Sequence, residues 1–260
     1  MKRYTLIILG ILSSNVYASD NTIYIDQAGN NTTVTATQNG AGNVIRGIQG
    51  VGSGNTTASI IKGNNNLVDI NQVGTGNTIS FGIDTSMANG YSGGNSFKYS
   101  VTGNNATAVI NSNNGNSATS ASNTLQVVQN GNTANTNANI KGSRNVATVT
   151  TSGGANNSYV STVNGNDNTQ TVSMTGGGNN SATISQTNDS HNISLTSVGA
   201  SNTYNITQSG GITGSDAIIN NNGSSNTYNI AQQGTQADNV TNIVSAGNTN
   251  TFTINQNQGQ

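Results

Sequence analysis

The side chains that most often carry chemistry are scarce in this chain, and their spacing assembles no reaction centre. His191 is the one histidine, Cys is absent, and all eight acidic residues are aspartates. Zinc sites draw their ligands from Cys, His and carboxylates, and one imidazole with no thiol beside it leaves no such set. Standing between Ser190 and Asn192 in a polar stretch, His191 reads as a solvated turn residue. Asp20, Asp26, Asp69, Asp84, Asp167, Asp189, Asp216 and Asp238 are dispersed. Calcium-binding nonapeptide arrays instead need Asp at a fixed place in every Gly-rich turn. Gly177-Gly178 and similar runs precede no helix, so they are turns and not phosphate cradles. Arg46, Lys62, Lys98, Lys141 and Arg144 form no patch for nucleic acid. The expectation is a non-enzymatic chain with no cofactor and no metal.

What remains is the chemistry of amides, whose side chains hydrogen-bond to copies of themselves when strands stack in register. Asn outnumbers even the 33 Gly. A unit recurs: Asn, five residues with alternating apolar positions, then Gln. It runs Asn21–Gln27, Asn43–Gln49, Asn66–Gln72 and Asn123–Gln129, then Asn180–Gln186, Asn202–Gln208, Asn226–Gln232 and Asn250–Gln256. Starts are 22 or 23 residues apart in the first three, and 22, 24 and 24 apart in the last four. Weaker copies start about midway, at Asn55, Asn77, Asn95, Asn145, Asn157 and Asn168. Fixed self-similarity of this length marks a repeat architecture.

Alternation within the unit has period two, which specifies strand. Asn202, Tyr204, Ile206 and Gln208 share one face, and Thr203, Asn205 and Thr207 the other. Asn at the strand entrance and Gly after Gln suit turns, because both tolerate positive φ. Two strands and two turns then make one coil of 22–24 residues. The expected fold is all-β, a parallel solenoid of about ten two-strand coils, its rungs about 4.8 Å apart and its two sheets facing at about 10 Å. The stretches Gly82–Gly94 and Asn111–Ser122 read as longer loops. Gln-bearing strands at 21, 43, 66 and 123 share one phase of the coil, and those at 180, 202, 226 and 250 the other. The Gln ladder is therefore expected to change sheets near the middle. Tyr204, Tyr228 and Phe252 should form an aromatic column beside it.

Composition agrees with a thin core. Hydrophobic residues are 31% of the chain, below the about 45–50% of ordinary globular domains. Charged residues are 6% and the net charge is −1, whereas disordered chains of low hydrophobicity carry high net charge. Pro is absent, as a ladder of backbone donors requires. With no Cys, no disulfide staples the fold. Residues 1–18 have the layout of a secretory signal peptide: Lys2 and Arg3, the apolar stretch Thr5–Leu12, then Val16-Tyr17-Ala18. The apolar run is too short to span a bilayer, so no membrane insertion is expected. Residues 19–260 read as one secreted repeat domain.

The pattern Asn-x-apolar-x-apolar-x-Gln-x-Gly-x-x-Asn resembles the curlin repeat of curli subunits. It is complete from Asn66 to Asn77 and nearly so from Asn21 to Asn31. The resemblance covers most of the mature chain, about half of whose strands carry the full motif. It implies export through the outer membrane, delayed folding and nucleated growth into biofilm fibres. By the same resemblance, Asn21, Gln27, Asn66, Gln72, Asn202, Gln208, Asn226, Gln232, Asn250 and Gln256 act in polymerisation. The chain departs from curlin in lacking a Gly-rich export segment before the first repeat. It also has about twice as many coils.

These features point to an extracellular, cell-surface structural subunit whose partner is itself, stacked head to tail, with related fibre subunits or a nucleator as further partners. The strands near Asn21 and Asn250 would be the open edges, since neither shows the Pro, Lys or bulge that blunts an edge. A second reading is a monomeric rod that binds ice or a glycan. It rests on the outward row of Thr203, Thr207, Thr227, Thr251 and Thr253, preceded by Ser181 and Thr183.

Overall fold

The computed structural model describes residues 20–28, 31–46, 59–62, 65–84, 94–113, 122–210, 214–234 and 238–258. The expected signal peptide lies outside them. The described residues form two parallel sheets and no helix. The first sheet contains β1 (Thr22–Ile23), β2 (Ile25–Ala28), β4 (Val44–Arg46), β5 (Ser59–Lys62), β7 (Thr78–Asp84), β9 (Thr107–Asn113), β11 (Asn135–Lys141), β13 (Ser158–Asn164), β15 (Ser181–Thr187), β17 (Thr203–Gly210), β19 (Thr227–Gly234) and β21 (Thr251–Gln258). The second contains β3 (Thr33–Asn39), β6 (Leu67–Val73), β8 (Ser96–Thr102), β10 (Thr124–Asn130), β12 (Val146–Ser152), β14 (Thr169–Gly176), β16 (Asn192–Gly199), β18 (Asp216–Asn222) and β20 (Val240–Ala246). Every pairing is between one coil and the next, so this is a β-solenoid. Its first sheet is ten rungs deep, because β1–β2 and β4–β5 each form one rung, and its second sheet is nine.

Inward residues alternate with outward ones along each strand, as the sequence pattern requires. In β10, Leu125, Val127 and Gln129 are buried, while Gln126 and Asn130 are exposed. In most of the seven- and eight-residue strands three inward residues fill the space between the sheets. Asn221 Nδ2 donates to the Tyr204 hydroxyl at 2.7 Å across this space. The aromatic column forms as expected. Tyr204 stacks on Tyr228 with centroids 4.9 Å apart, and Tyr228 on Phe252 at 5.1 Å. In-register parallel pairing of the column positions imposes this geometry.

The phase of the early repeats differs from the sequence reading. Strands after Asn21 and Asn43 lie in the first sheet, but those after Asn66 and Asn123 lie in the second. Thr22 pairs with Val44, an offset of 22, whereas Ile25 pairs with Ser59, an offset of 34. Twelve extra residues therefore interrupt the second rung between Arg46 and Ser59. Twelve is close to half a coil, so the spacing from Asn43 to Asn66 imitates a full turn while moving the motif to the other sheet. The supposed loops are also shorter. β7 continues to Asp84 and β9 to Asn113, and the intervening residues lie outside the described ones.

Candidate functional site

The side chains singled out by the repeat fall into columns running along the solenoid. Two corners connect the sheets: a return corner from the second sheet to the first, and an outgoing corner from the first to the second. The return corner ends, coil after coil, at Asn21, Asn43, Asn77, Ala106, Ala134, Asn157, Asn180, Asn202, Asn226 and Asn250. Asn21, Asn43, Asn77, Asn180, Asn202 and Asn226 each make the same pair of bonds to the next coil. Asn202 Oδ1 accepts from the backbone N–H of Asn226 at 3.0 Å, and its Nδ2 donates to the Gly223 carbonyl at 2.8 Å. Asn226 repeats this with Asn250 N–H at 2.7 Å and the Gly247 carbonyl at 2.9 Å. Asn21 does so with Asn43 N–H and the Gly40 carbonyl. The side chain thus completes the backbone ladder where the chain leaves the turn. Ala106 and Ala134 interrupt the column.

A second Asn column runs on the outgoing corner through Asn66, Asn95, Asn123, Asn145 and Asn168. Asn123 N–H donates to Asn95 Oδ1 at 3.0 Å, and Asn145 N–H to Asn123 Oδ1 at 2.9 Å. The next member is His191. Its backbone N–H donates to Asn168 Oδ1 at 2.9 Å, and its ring Nδ1 accepts from Ser215 N–H at 3.0 Å. His191 is fully buried, which corrects its reading as a solvated turn residue. Nothing in the local sequence marks it, because the role belongs to the position and becomes visible only once the register is known.

Gln residues make two ladders. Gln186, Gln208, Gln232 and Gln256 stack in the first sheet, each Nε2 donating to the next Oε1 at 2.8–3.0 Å. Gln38 Nε2 donates to Gln72 Oε1 at 2.8 Å in the second sheet. Gln129 does not stack: its neighbours in register are Val101 and Thr151. It accepts from the Tyr99 hydroxyl at 3.0 Å and donates to Thr136 Oγ1 at 2.7 Å. Gln27 pairs in register with Ile61, not with Gln49 as the 22-residue spacing suggested, and Gln49 lies outside the described residues. Gln38 and Gln170, which the motif missed, belong to the same inward set. Tyr159 and Ser161 donate to Gln170 Oε1, and Gln170 Nε2 donates to Gln186 at 2.7 Å. Burial pushes the Tyr99 and Tyr159 hydroxyls well above the usual phenol range.

These columns bind one strand to the next along the solenoid. Among the described residues no three metal-ligating side chains cluster. Arg144 and Asp167 pair at 2.6 Å in exposed turns of adjacent coils, where such a pair contributes little. The fold and its columns define a parallel β-solenoid with internal amide ladders. Comparison with family models, with curated proteins and with solved structures finds no match for the chain.

Proposed function

We propose that this protein is a secreted structural subunit that stacks head to tail into curli-like extracellular amyloid fibres. One observation carries the reading: the first and last rungs of the first sheet hold the same motif in the same columns. Asn21, Ile23, Ile25 and Gln27 open that sheet, and Asn250, Phe252, Ile254 and Gln256 close it. Asn250 N–H donates to Asn226 Oδ1 below at 2.7 Å, and Asn250 holds the column position whose Oδ1 accepts the next backbone N–H at Asn202 and Asn226. The backbone N–H of Asn21 in a second copy fits it. Phe252 and Ile254 are half-buried on the last rung and gain cover from such a copy. Unlike ends that fit each other generate an open filament, not a closed ring. For residues 20–258, seating β1 on β21 keeps the ten-rung sheet continuous and leaves one strand position open in the nine-rung sheet. Contact is therefore made chiefly through the first sheet. Related subunits or a nucleator would engage the same edges.

The test is concentration-dependent assembly of the mature chain, followed by sedimentation and electron microscopy. Unbranched fibres are expected. A chain that stays monodisperse at high concentration ends the proposal. The alternative, a monomeric rod binding ice or a glycan, draws on Thr203, Thr227 and Thr251, which stand in register on the outer face of the first sheet. Thermal hysteresis from soluble monomer would favour it.

A further inference from the structure

His191 does in this fold what Asn123, Asn145 and Asn168 do with an amide in the same column below it. An Asn supplies one acceptor and one donor from its side chain. The imidazole does the same: Nδ1 accepts from Ser215 N–H at 3.0 Å, and Nε2 contacts the Thr187 carbonyl at 2.9 Å. A carbonyl oxygen can only accept, so Nε2 carries the proton and Nδ1 is the bare nitrogen. The ring is therefore neutral and held in one tautomer by its two partners. Unlike an amide, it can take up a proton near physiological pH. That proton would go to Nδ1, set donor against donor at Ser215, and place a cation in a fully buried position.

The position of His191 in the column gives the event a consequence. The regular outgoing corner, with matched four-residue turns at 142–145, 165–168 and 188–191, ends at this residue. Ser190 N–H still donates to the Asn166 carbonyl below at 2.9 Å. Above, the His191 side chain ties this corner to the coil that starts at Ser215. We propose that His191 is a proton-sensitive latch joining the regular outgoing corner to the last coils, closed at neutral pH and opened by acid. The inference does not depend on polymerisation.

The ionisable groups around the ring oppose the latch only weakly. Asp189 and Asp238 favour the imidazolium through space. Asp167, one coil below, is committed to Arg144, and Asp216 begins the strand after Ser215. Desolvation outweighs these and lowers the His191 pKa from its ordinary 6.5, even though the Thr187 carbonyl also favours the charged form. The sign follows. An opened corner binds the proton more readily than the closed one, so the stabilisation is complete above 6.5 and is lost as pH falls through the lower folded value. The opening equilibrium rises about tenfold per pH unit inside that window.

Since His191 is the only histidine, its ring resonances are unambiguous. The experiment is nitrogen-15 NMR of the histidine-labelled full chain, paired with hydrogen exchange at the Ser215 amide between neutral and about pH 4.5. The expected result is an Nε2–H tautomer titrating below 6.5, with Ser215 protection falling about tenfold per unit through the same step. His191→Asn restores an amide to the column, keeps the fold and removes the acid step. A ring titrating at 6.5 or above overturns the proposal. So does Ser215 protection that ignores the titration, or an acid step that persists in His191→Asn.

Discussion

The two corners of the solenoid do the same topological work and obey different rules. On the return corner every coil hydrogen-bonds to the next through its turn backbone: Gly74 N–H to the Asn39 carbonyl, Gly131 to Thr102, Ser201 to Gly178 and Ser225 to Ala200. The return turns between described strands hold three to five residues. On the outgoing corner the same bonds join the three turns at 142–145, 165–168 and 188–191, as in Gly165 to Lys141 and Asp167 to Ser143. The two longest intervals between successive strands of opposite sheets, from Asp84 to Ser96 and from Asn113 to Thr124, both fall on this corner. The Asn column does not explain the difference, because on the return corner it breaks at Ala106 and Ala134 while their own turns keep four residues. Coil length is set by backbone-to-backbone stacking of the turns. The side-chain amides stabilise a geometry that this stacking has already fixed.

The largest effect should come from breaking that stacking outright. A four-residue Gly/Ser insertion after Asn132 separates two bonded turns and should destabilise the adjoining coils by about 3–5 kcal/mol. The same insertion in the interval between Gly210 and Asp216, which joins the first sheet to the second, should cost under about 1 kcal/mol, the loop-closure entropy alone. Native-state hydrogen exchange, which resolves coils one by one, reads both. If the two insertions cost the same, the corners are not different in kind.

Two glycines sharpen the comparison by one atom. In Gly103 an added Cβ would lie 2.0 Å from the Gly131 carbonyl oxygen of the next turn, at φ +149°. Gly103→Ala must displace backbone, and a loss of about 3 kcal/mol or more is expected. Gly176 also has positive φ, +86°, but an added Cβ meets nothing within 4 Å. Gly176→Ala should cost only the left-handed backbone penalty, about 1–2 kcal/mol. Denaturant midpoints of the two variants should differ in that order.

The side-chain column should give the smallest effects, of opposite sign. Asn202→Ala leaves Asn226 N–H and the Gly223 carbonyl without their side-chain partner and should destabilise by about 2 kcal/mol. Ala134→Asn rebuilds a missing member and should stabilise by about 1 kcal/mol. Exchange of the Asn226 and Asn157 amides reports each one locally.

The strands, their alternation and the Gly-plus-Asn turns were legible in the sequence because period two and turn chemistry are local. So was the aromatic column, since Tyr204, Tyr228 and Phe252 recur at fixed spacing. Sheet assignment of the early motifs was not, because an insertion of half a coil between Arg46 and Ser59 leaves the apparent period intact. Gln129 carries the full motif yet lacks stacked partners, which depend on residues 101 and 151, two neighbouring coils away in sequence. His191 was illegible for a related reason. Its burial comes from a column position that Asn occupies in the coils before it, and a single-residue reading sees only a histidine among polar neighbours.

The claim that copies stack β1 on β21 can be tested without relying on fibre morphology. Thr22 and Thr251 stand in the same outward column of the first sheet, and the chain has no Cys. In a head-to-tail junction, residue 22 of one copy lies one rung, about 4.8 Å, from residue 251 of the next. That is inside the about 4.4–6.8 Å range of a disulfide. Thr22→Cys and Thr251→Cys chains, mixed and oxidised, should give the 22–251 cross-linked pair, while neither variant alone should dimerise. Cross-links joining 22 to 22 or 251 to 251, or no cross-link at all, would contradict the account.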